Sequence, residues 1–323
     1  MATDFHILAG FLGSGKTTLL LDFLATPEGA DTAVLVNDVG AIDVDGAVVA
    51  SSGDMPVAFL SNGCVCCSIG NDLVATVDDL VYGRIDAGLP PFRRMILECS
   101  GLSRPGPIIR SLADLGAHDF RVRVLSTFDA GQGAAHAANF EEAAAQLAAA
   151  QTVVLTKLDA EGAPAAAHAA AAARAVNPLA QLVAEPDRAT RAVAAFAAPG
   201  AGAVPLAGAS AEPGGLRGMR HPRIGVFLAT VPPGLEWDAV AHWIEDVAAR
   251  CGDRLLRMKG PVAVAGVDGP LLIQGVGTIF GPPMRLRPGA AGDPGSVVII
   301  ARDLPRAELA EACAPHGVAV AET

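Results

Sequence analysis

Residues 10–18 read Gly10-Phe11-Leu12-Gly13-Ser14-Gly15-Lys16-Thr17-Thr18, a full match to G-x-x-x-x-G-K-[ST]. An apolar run at 5–9 precedes the loop and a helical pattern at 16–25 follows it, the context in which this pattern cradles phosphate. The glycines let backbone N–H groups close around an anion, and the positive end of the following helix points at the same place. Gly13, Ser14, Gly15, Lys16, Thr17 and Thr18 are therefore candidate phosphate ligands. Lys16 supplies a compact cation that bridges two phosphates, a task for which the planar fork of Arg is ill shaped. The Thr17 hydroxyl is placed to reach Mg2+.

From residue 5 to about 198, short β-branched runs alternate with amphipathic or Ala-rich stretches. Strands are predicted at 5–9, 32–36, 57–60, 95–98, 122–126, 152–155 and 181–183. Helices are predicted at 16–25, 71–87, 105–115, 139–149, 163–176 and 187–197. That alternation implies an α/β domain with a mostly parallel, doubly wound sheet covered by helices on both faces. Residues 199–222 are rich in Pro, Gly and Ala without apolar periodicity and read as a linker. Beyond it, strands at 224–230, 254–265, 271–280 and 296–301 with helices at 236–250 and 306–314 suggest a smaller α+β domain. The expected division is thus 1–198, linker 199–222 and 223–323.

Lys plus Arg number 23 against 34 Asp plus Glu, a net charge of −11, which argues against general binding of nucleic acid or anionic membrane. Only Lys16, Lys157 and Lys259 are lysines among those basic residues, so each invites a reason for its retention. No basic region precedes an apolar core at the N-terminus, and no apolar run reaches eighteen residues; a cytoplasmic protein is expected. Three of the six cysteines crowd into Cys64-Val65-Cys66-Cys67, unlike the spread of a secreted disulfide framework.

Two strand ends carry further chemistry. Residues 94–98 end in Glu98, followed by Cys99, Ser100 and Gly101. Ligands gather at the C-terminal ends of strands in such sheets, so Glu98 faces the same site as Lys16. There it would hold a water of Mg2+, while the Gly101 N–H senses a γ-phosphate. By itself, Glu98 reads as an ordinary strand-end acid; the phosphate loop in the same chain turns the reading toward a ligand role. Residues 153–159 end in Thr156-Lys157-Leu158-Asp159. Guanine presents two donors side by side, which one carboxylate such as Asp159 accepts together; adenine has no such pair. The Lys157 stem would lie along the base with its head near the phosphate loop.

In the cysteine cluster, Cys64 and Cys66 are spaced to chelate one ion and Cys67 offers a third thiolate, a set that selects Zn2+, Co2+ or Cu+. Three ligands leave a coordination position open, which suits transfer better than permanent ligation. A redox pair and a merely structural cluster are the weaker alternatives, since vicinal thiols such as Cys66-Cys67 close only a strained disulfide.

Together, residues 10–18, Ser61-Asn62-Gly63-Cys64-Val65-Cys66-Cys67, Glu98-Cys99-Ser100-Gly101-Leu102-Ser103-Arg104-Pro105-Gly106-Pro107 and 156–159 resemble the CobW-type family of metal-trafficking P-loop GTPases. Residues 177–180, 255–260 and 274–276 extend the likeness over nearly the whole chain. The resemblance implies a metallochaperone that binds GTP and Mg2+, assembles the cysteine site with Zn2+ or Co2+, and releases the ion to a client metalloprotein on hydrolysis; a homodimer is compatible with it. Three departures stand out. Residues 36–41 replace the family's usual N-E-F-G-E, keeping Asp38 as a switch-region acid but placing Ala41 where a second carboxylate is usual. Thr156 replaces the common Asn of N-K-x-D. No His-rich tract is present, so a metal-storage role is not expected.

The assignment is a GTPase with slow intrinsic turnover, because no residue stands out as a general base. Rival readings are a small-molecule kinase using the same phosphate loop and a metal-buffering module indifferent to GTP. Lys259, in a segment the resemblance also marks, is a candidate for client contact or domain coupling.

Overall fold

The structure is a computed structural model of the 323-residue chain and describes residues 3–37, 57–60, 69–112, 115, 118–197, 221–287 and 294–322. The cysteine cluster at 64–67, Asp38 and Ala41 lie outside the described residues, as does nearly all of 199–222. The chain divides into two compact units, one of residues 1–170 with 181–198, the other of 171–180 with 199–323.

The first unit follows the α/β expectation closely. Its strands are β1 (Thr3–Gly10), β2 (Thr32–Val36), β3 (Val57–Phe59), β4 (Arg94–Glu98), β5 (Phe120–Asp129), β6 (Thr152–Thr156) and β7 (Gln181–Val183). They form one sheet in the order β3-β2-β4-β1-β5-β6-β7, every neighbouring pair parallel. Such strands are covered on both faces, and so read as continuous apolar runs: every residue of β2 and β6 is buried. The helices are α1 (Lys16–Leu24), α2 (Ile69–Asp86), α3 (Pro105–Leu112), α4 (Gly133–Asn139), α5 (Glu141–Ala149), α6 (Leu158–Val176) and α7 (Arg188–Phe196). On one face, Leu19, Leu20 and Phe23 of α1 meet Ala192, Ala195 and Phe196 of α7 over Leu8, Val34, Ile96 and Leu125 of the sheet. The Asp187 carboxylate accepts the Thr190 N–H and so caps α7.

Three local features depart from the expectation. Helix α4 stands separately, because Phe140 takes an extended conformation (φ −121°, ψ 123°) and serves as the last cap of α4 and the first of α5. Helix α6 begins five residues early and kinks at Gly162 (φ 76°), just ahead of Pro164. Strand β5 runs to Asp129 instead of stopping at 126.

The second unit holds β8 (Ile224–Thr230), α8 (Trp237–Cys251), β9 (Leu255–Val262), β10 (Leu271–Val276), β11 (Ile279–Phe280), β12 (Met284–Arg285), β13 (Ser296–Arg302), α9 (Arg306–Cys313) and β14 (Ala319–Glu322). Its sheet is antiparallel in the order β11-β10-β9-β13-β8-β14, with β12 paired to β10. Val240, Trp243 and Val247 of α8 and Leu309 of α9 pack on Phe227, Met258, Ile273, Val297 and Ile299. Alternate residues of β9 face the other way, among them Arg257 and Lys259. Burial and the neighbouring Arg257 charge push the Lys259 ammonium down to about 8. Among the described residues, no helix is long and apolar enough to cross a membrane.

Candidate functional site

The C-terminal ends of the parallel strands bring together Gly10 of β1, Glu98 of β4, Asp129 of β5 and Thr156 of β6, each at or next to the last residue of its strand. The chain leaves β1 toward one edge of the sheet and β4 toward the other, so the crevice lies where ligands collect in doubly wound sheets.

The loop between β1 and α1 is built by its glycines. Gly10 (φ 145°) has no room for a side chain: a Cβ there would collide with the Thr127 hydroxyl. Gly13 (φ 68°) and Gly15 (φ 91°) take left-handed conformations, and the space beside Gly13 is open. Ser14 turns inward, its hydroxyl 2.7 Å from the Phe11 carbonyl and 2.7 Å from the Thr127 hydroxyl. The Lys16 ammonium arches back over the loop and donates to the carbonyls of Gly10 (3.0 Å) and Phe11 (3.3 Å). Thr18 is exposed on the first turn of α1.

Thr17 and Glu98 meet directly. The Thr17 hydroxyl donates to the Glu98 carboxylate at 2.6 Å, although 81 positions separate them. Glu98 is 4% exposed, and the Asn37 N–H donates to its backbone carbonyl. A hydroxyl and a buried carboxylate beside a phosphate-shaped loop are hard oxygen donors of the kind that suit Mg2+. Cys99, next in sequence, is an unreactive thiol: burial pushes it up to about 12. Gly101 presses against the phosphate loop, since a Cβ there would stand 2.8 Å from the Leu12 nitrogen.

On the other side of the loop, Thr156 and Lys157 take places the sequence did not suggest. The Thr156 hydroxyl donates to the Ser14 carbonyl at 2.7 Å and its side chain packs against Gly15. It braces the phosphate loop. The Lys157 head lies 2.7 Å from the Asp129 carboxylate. Lys157 itself has φ 58°. Burial alone would raise the Asp129 carboxyl; the Lys157 hydrogen bond and the Gly131 and Gln132 N–H groups outweigh it and hold the carboxyl below its ordinary range. Asp159 is exposed on the first turn of α6.

Thr127, Asp129 and Gln146 were missed from the sequence. The signal available for the first two was the polar end of β5, the same feature that exposed Glu98 and Thr156. Among the described residues, no group of three or more His, Cys, Asp or Glu side chains is arranged to hold a metal ion. The thiolate cluster lies outside those residues.

Comparison with known proteins places the chain in a family. Residues 4–184 match the family described as CobW/HypB/UreG, nucleotide-binding domain, and residues 224–314 match the cobalamin synthesis protein CobW C-terminal domain. The chain belongs to the CobW/HypB/UreG family. Among its relatives is the zinc chaperone YjiA of Escherichia coli, 34% identical over 162 residues, 48% of this chain and 49% of that protein. The zinc-regulated GTPase metalloprotein activator 1 of Dictyostelium discoideum is 35% identical over 114 residues, covering 32% of this chain and 23% of that one. The matches thus span half or less of these relatives' length. A zinc-bound crystal structure of the YjiA GTPase from E. coli superimposes with a TM-score of 0.64 at 22% identity, covering 98% of this chain and 99% of that one, which shows a shared fold.

Proposed function

We propose that this family member is a GTP-hydrolysing metallochaperone that loads a divalent ion, zinc or cobalt, on Cys64, Cys66 and Cys67 and delivers it to a client metalloprotein. The observation that carries the reading is the Thr17–Glu98 hydrogen bond at the mouth of the phosphate loop. It brings a hydroxyl and a buried acid to the spot where a nucleotide's phosphates and their cation would meet. The zinc chaperones and the zinc-regulated GTPase activator among its relatives support the metal half.

In this reading the Gly13–Thr18 N–H groups bind the phosphates, and Lys16 exchanges its two carbonyl partners for β- and γ-phosphate oxygens. Thr17 and Glu98 would hold Mg2+, Glu98 through a water, and the ion would supply positive charge against the charge developing on the phosphoryl group. Gly101 presents its N–H to the γ-phosphate. Asp159 accepts the paired donors of guanine, and Lys157, oriented by Asp129, lies along the base. Asp38 acts from the switch segment. Among the described residues no acid or His is placed as a general base, so we expect turnover to be slow without a partner or metal.

The test is nucleotide turnover with Mg2+. The parent protein should hydrolyse GTP at least about tenfold faster than ATP, and Asp159→Ala should erase that preference, a change of about 1.4 kcal/mol. Equal hydrolysis of both nucleotides by the parent contradicts the assignment, and phosphate transfer to a small acceptor would favour a kinase.

A further inference from the structure

Gln146, on α5, is completely buried, yet it spends both amide hydrogens outside its own helix. Its Nε2 donates to the Gly101 carbonyl at 2.9 Å and to the Ser103 carbonyl at 2.8 Å, while its Oε1 finds no partner. Residues 100–103 form a turn closed by the Ser103 N–H on the Ser100 carbonyl. Gln146 therefore grips the second and fourth residues of a turn whose Gly101 rests on Leu12 of the phosphate loop. A second latch lies nearby: the Arg104 guanidinium is 3.1 Å from both Glu141 and Glu142, in the first turn of α5. Gln146 also lines a cavity of about 10 Å3, room for one water, whose wall includes Phe11 and Ser14 of the phosphate loop.

We propose that Gln146 is a positioning residue that fixes the Gly101 peptide against the phosphate loop, so that the protein distinguishes a nucleoside triphosphate from a diphosphate, with α5 reporting the difference. The inference rests on the reading of Gly101 as the γ-phosphate contact. An unmet carbonyl in a buried turn lets that turn rotate, whereas two donors from one rigid amide hold two carbonyls in one plane. Because the diphosphate has no γ-phosphate for Gly101 to touch, loss of the grip weakens triphosphate binding alone. A Gln serving only to fill the core would affect both nucleotides alike.

The experiment compares Mg2+-dependent affinity for GDP and for a non-hydrolysable GTP analogue in the parent and in Gln146→Leu, which keeps the bulk and loses the donors. GDP affinity is expected to stay within about twofold, while analogue affinity falls at least about tenfold. Far-UV circular dichroism checks the fold. If Gln146→Leu does not fold, hydrogen exchange on the parent decides, the 101–104 amides slowing with the analogue but not with GDP. An unchanged affinity ratio overturns the role of Gln146 alone; equal protection by both nucleotides in the exchange measurement overturns the Gly101 contact and this inference with it. A parent that binds neither nucleotide overturns the nucleotide reading and this inference with it.

Discussion

Glu98 shows how much one contact decides. A buried carboxylate costs several kcal/mol unless it is compensated, and the Thr17 hydroxyl supplies part of that compensation from across the crevice. Thr17→Ala is expected to lower Mg2+-dependent GTP turnover at least about tenfold, about 1.4 kcal/mol, and, because it takes a donor from the buried Glu98 carboxylate, to lower the melting temperature as well; a hydrolysis assay with a parallel melt checks both. Asp129 matters through Lys157. In Asp129→Asn the ion pair is lost and the Lys157 stem is no longer oriented, so guanine nucleotide affinity should fall several-fold in a binding titration.

His6 makes a different prediction. It is 1% exposed in the middle of β1, neither ring nitrogen has a hydrogen-bond partner, and its ring stands edge-on to Phe196 at 5.4 Å. Burial, with the Arg94 and Arg123 charges, pushes it down to about 3. The unfolded chain takes up a proton below about 6.5 that the folded chain refuses, so this group erodes stability as pH falls from about 6.5 toward 3. The slope approaches about 1.4 kcal/mol per pH unit. Thermal melts of His6→Leu between pH 7 and 4.5 should show a shallower decline than the parent, and parallel declines would contradict this account.

Elements were legible where their chemistry was repetitive. Strands β2, β7 and β8 matched their predicted limits, and β2 is buried throughout, as a strand covered on both faces is. Helix α4 was illegible, since Gly133-Ala134-Ala135-His136 carries neither a cap nor an apolar stripe, and its end is set by the backbone of Phe140. Strand β14 was missed because it lies at a sheet edge with three of its four residues exposed and alternates no apolar face. In the site, the phosphate loop, Glu98 and Thr156 could be found from strand ends. The partner Thr156 chose, a carbonyl 142 positions away, could not. The loop itself offers a direct check. Gly10→Ala forces a Cβ onto the Thr127 hydroxyl, so binding of any nucleotide should fall more than tenfold, read by the same titration.

For the whole molecule, two units hold separate cores. The parallel sheet places the nucleotide chemistry at one edge. The antiparallel sheet of the second unit carries Lys259, the one lysine outside the proposed nucleotide site. The net charge of −11 argues against general binding of nucleic acid. What joins these parts in the proposed account is coupling between nucleotide and metal, which is reciprocal by necessity: if GTP tightens metal binding, metal tightens GTP binding by the same factor. The most direct measurement is a zinc competition titration of the Mg2+-loaded protein with a non-hydrolysable GTP analogue and with GDP, repeated in Cys66→Ser. Zinc affinity should be at least about tenfold higher with the analogue than with GDP, with the difference lost in Cys66→Ser. Equal zinc affinity in both nucleotide states would contradict the account.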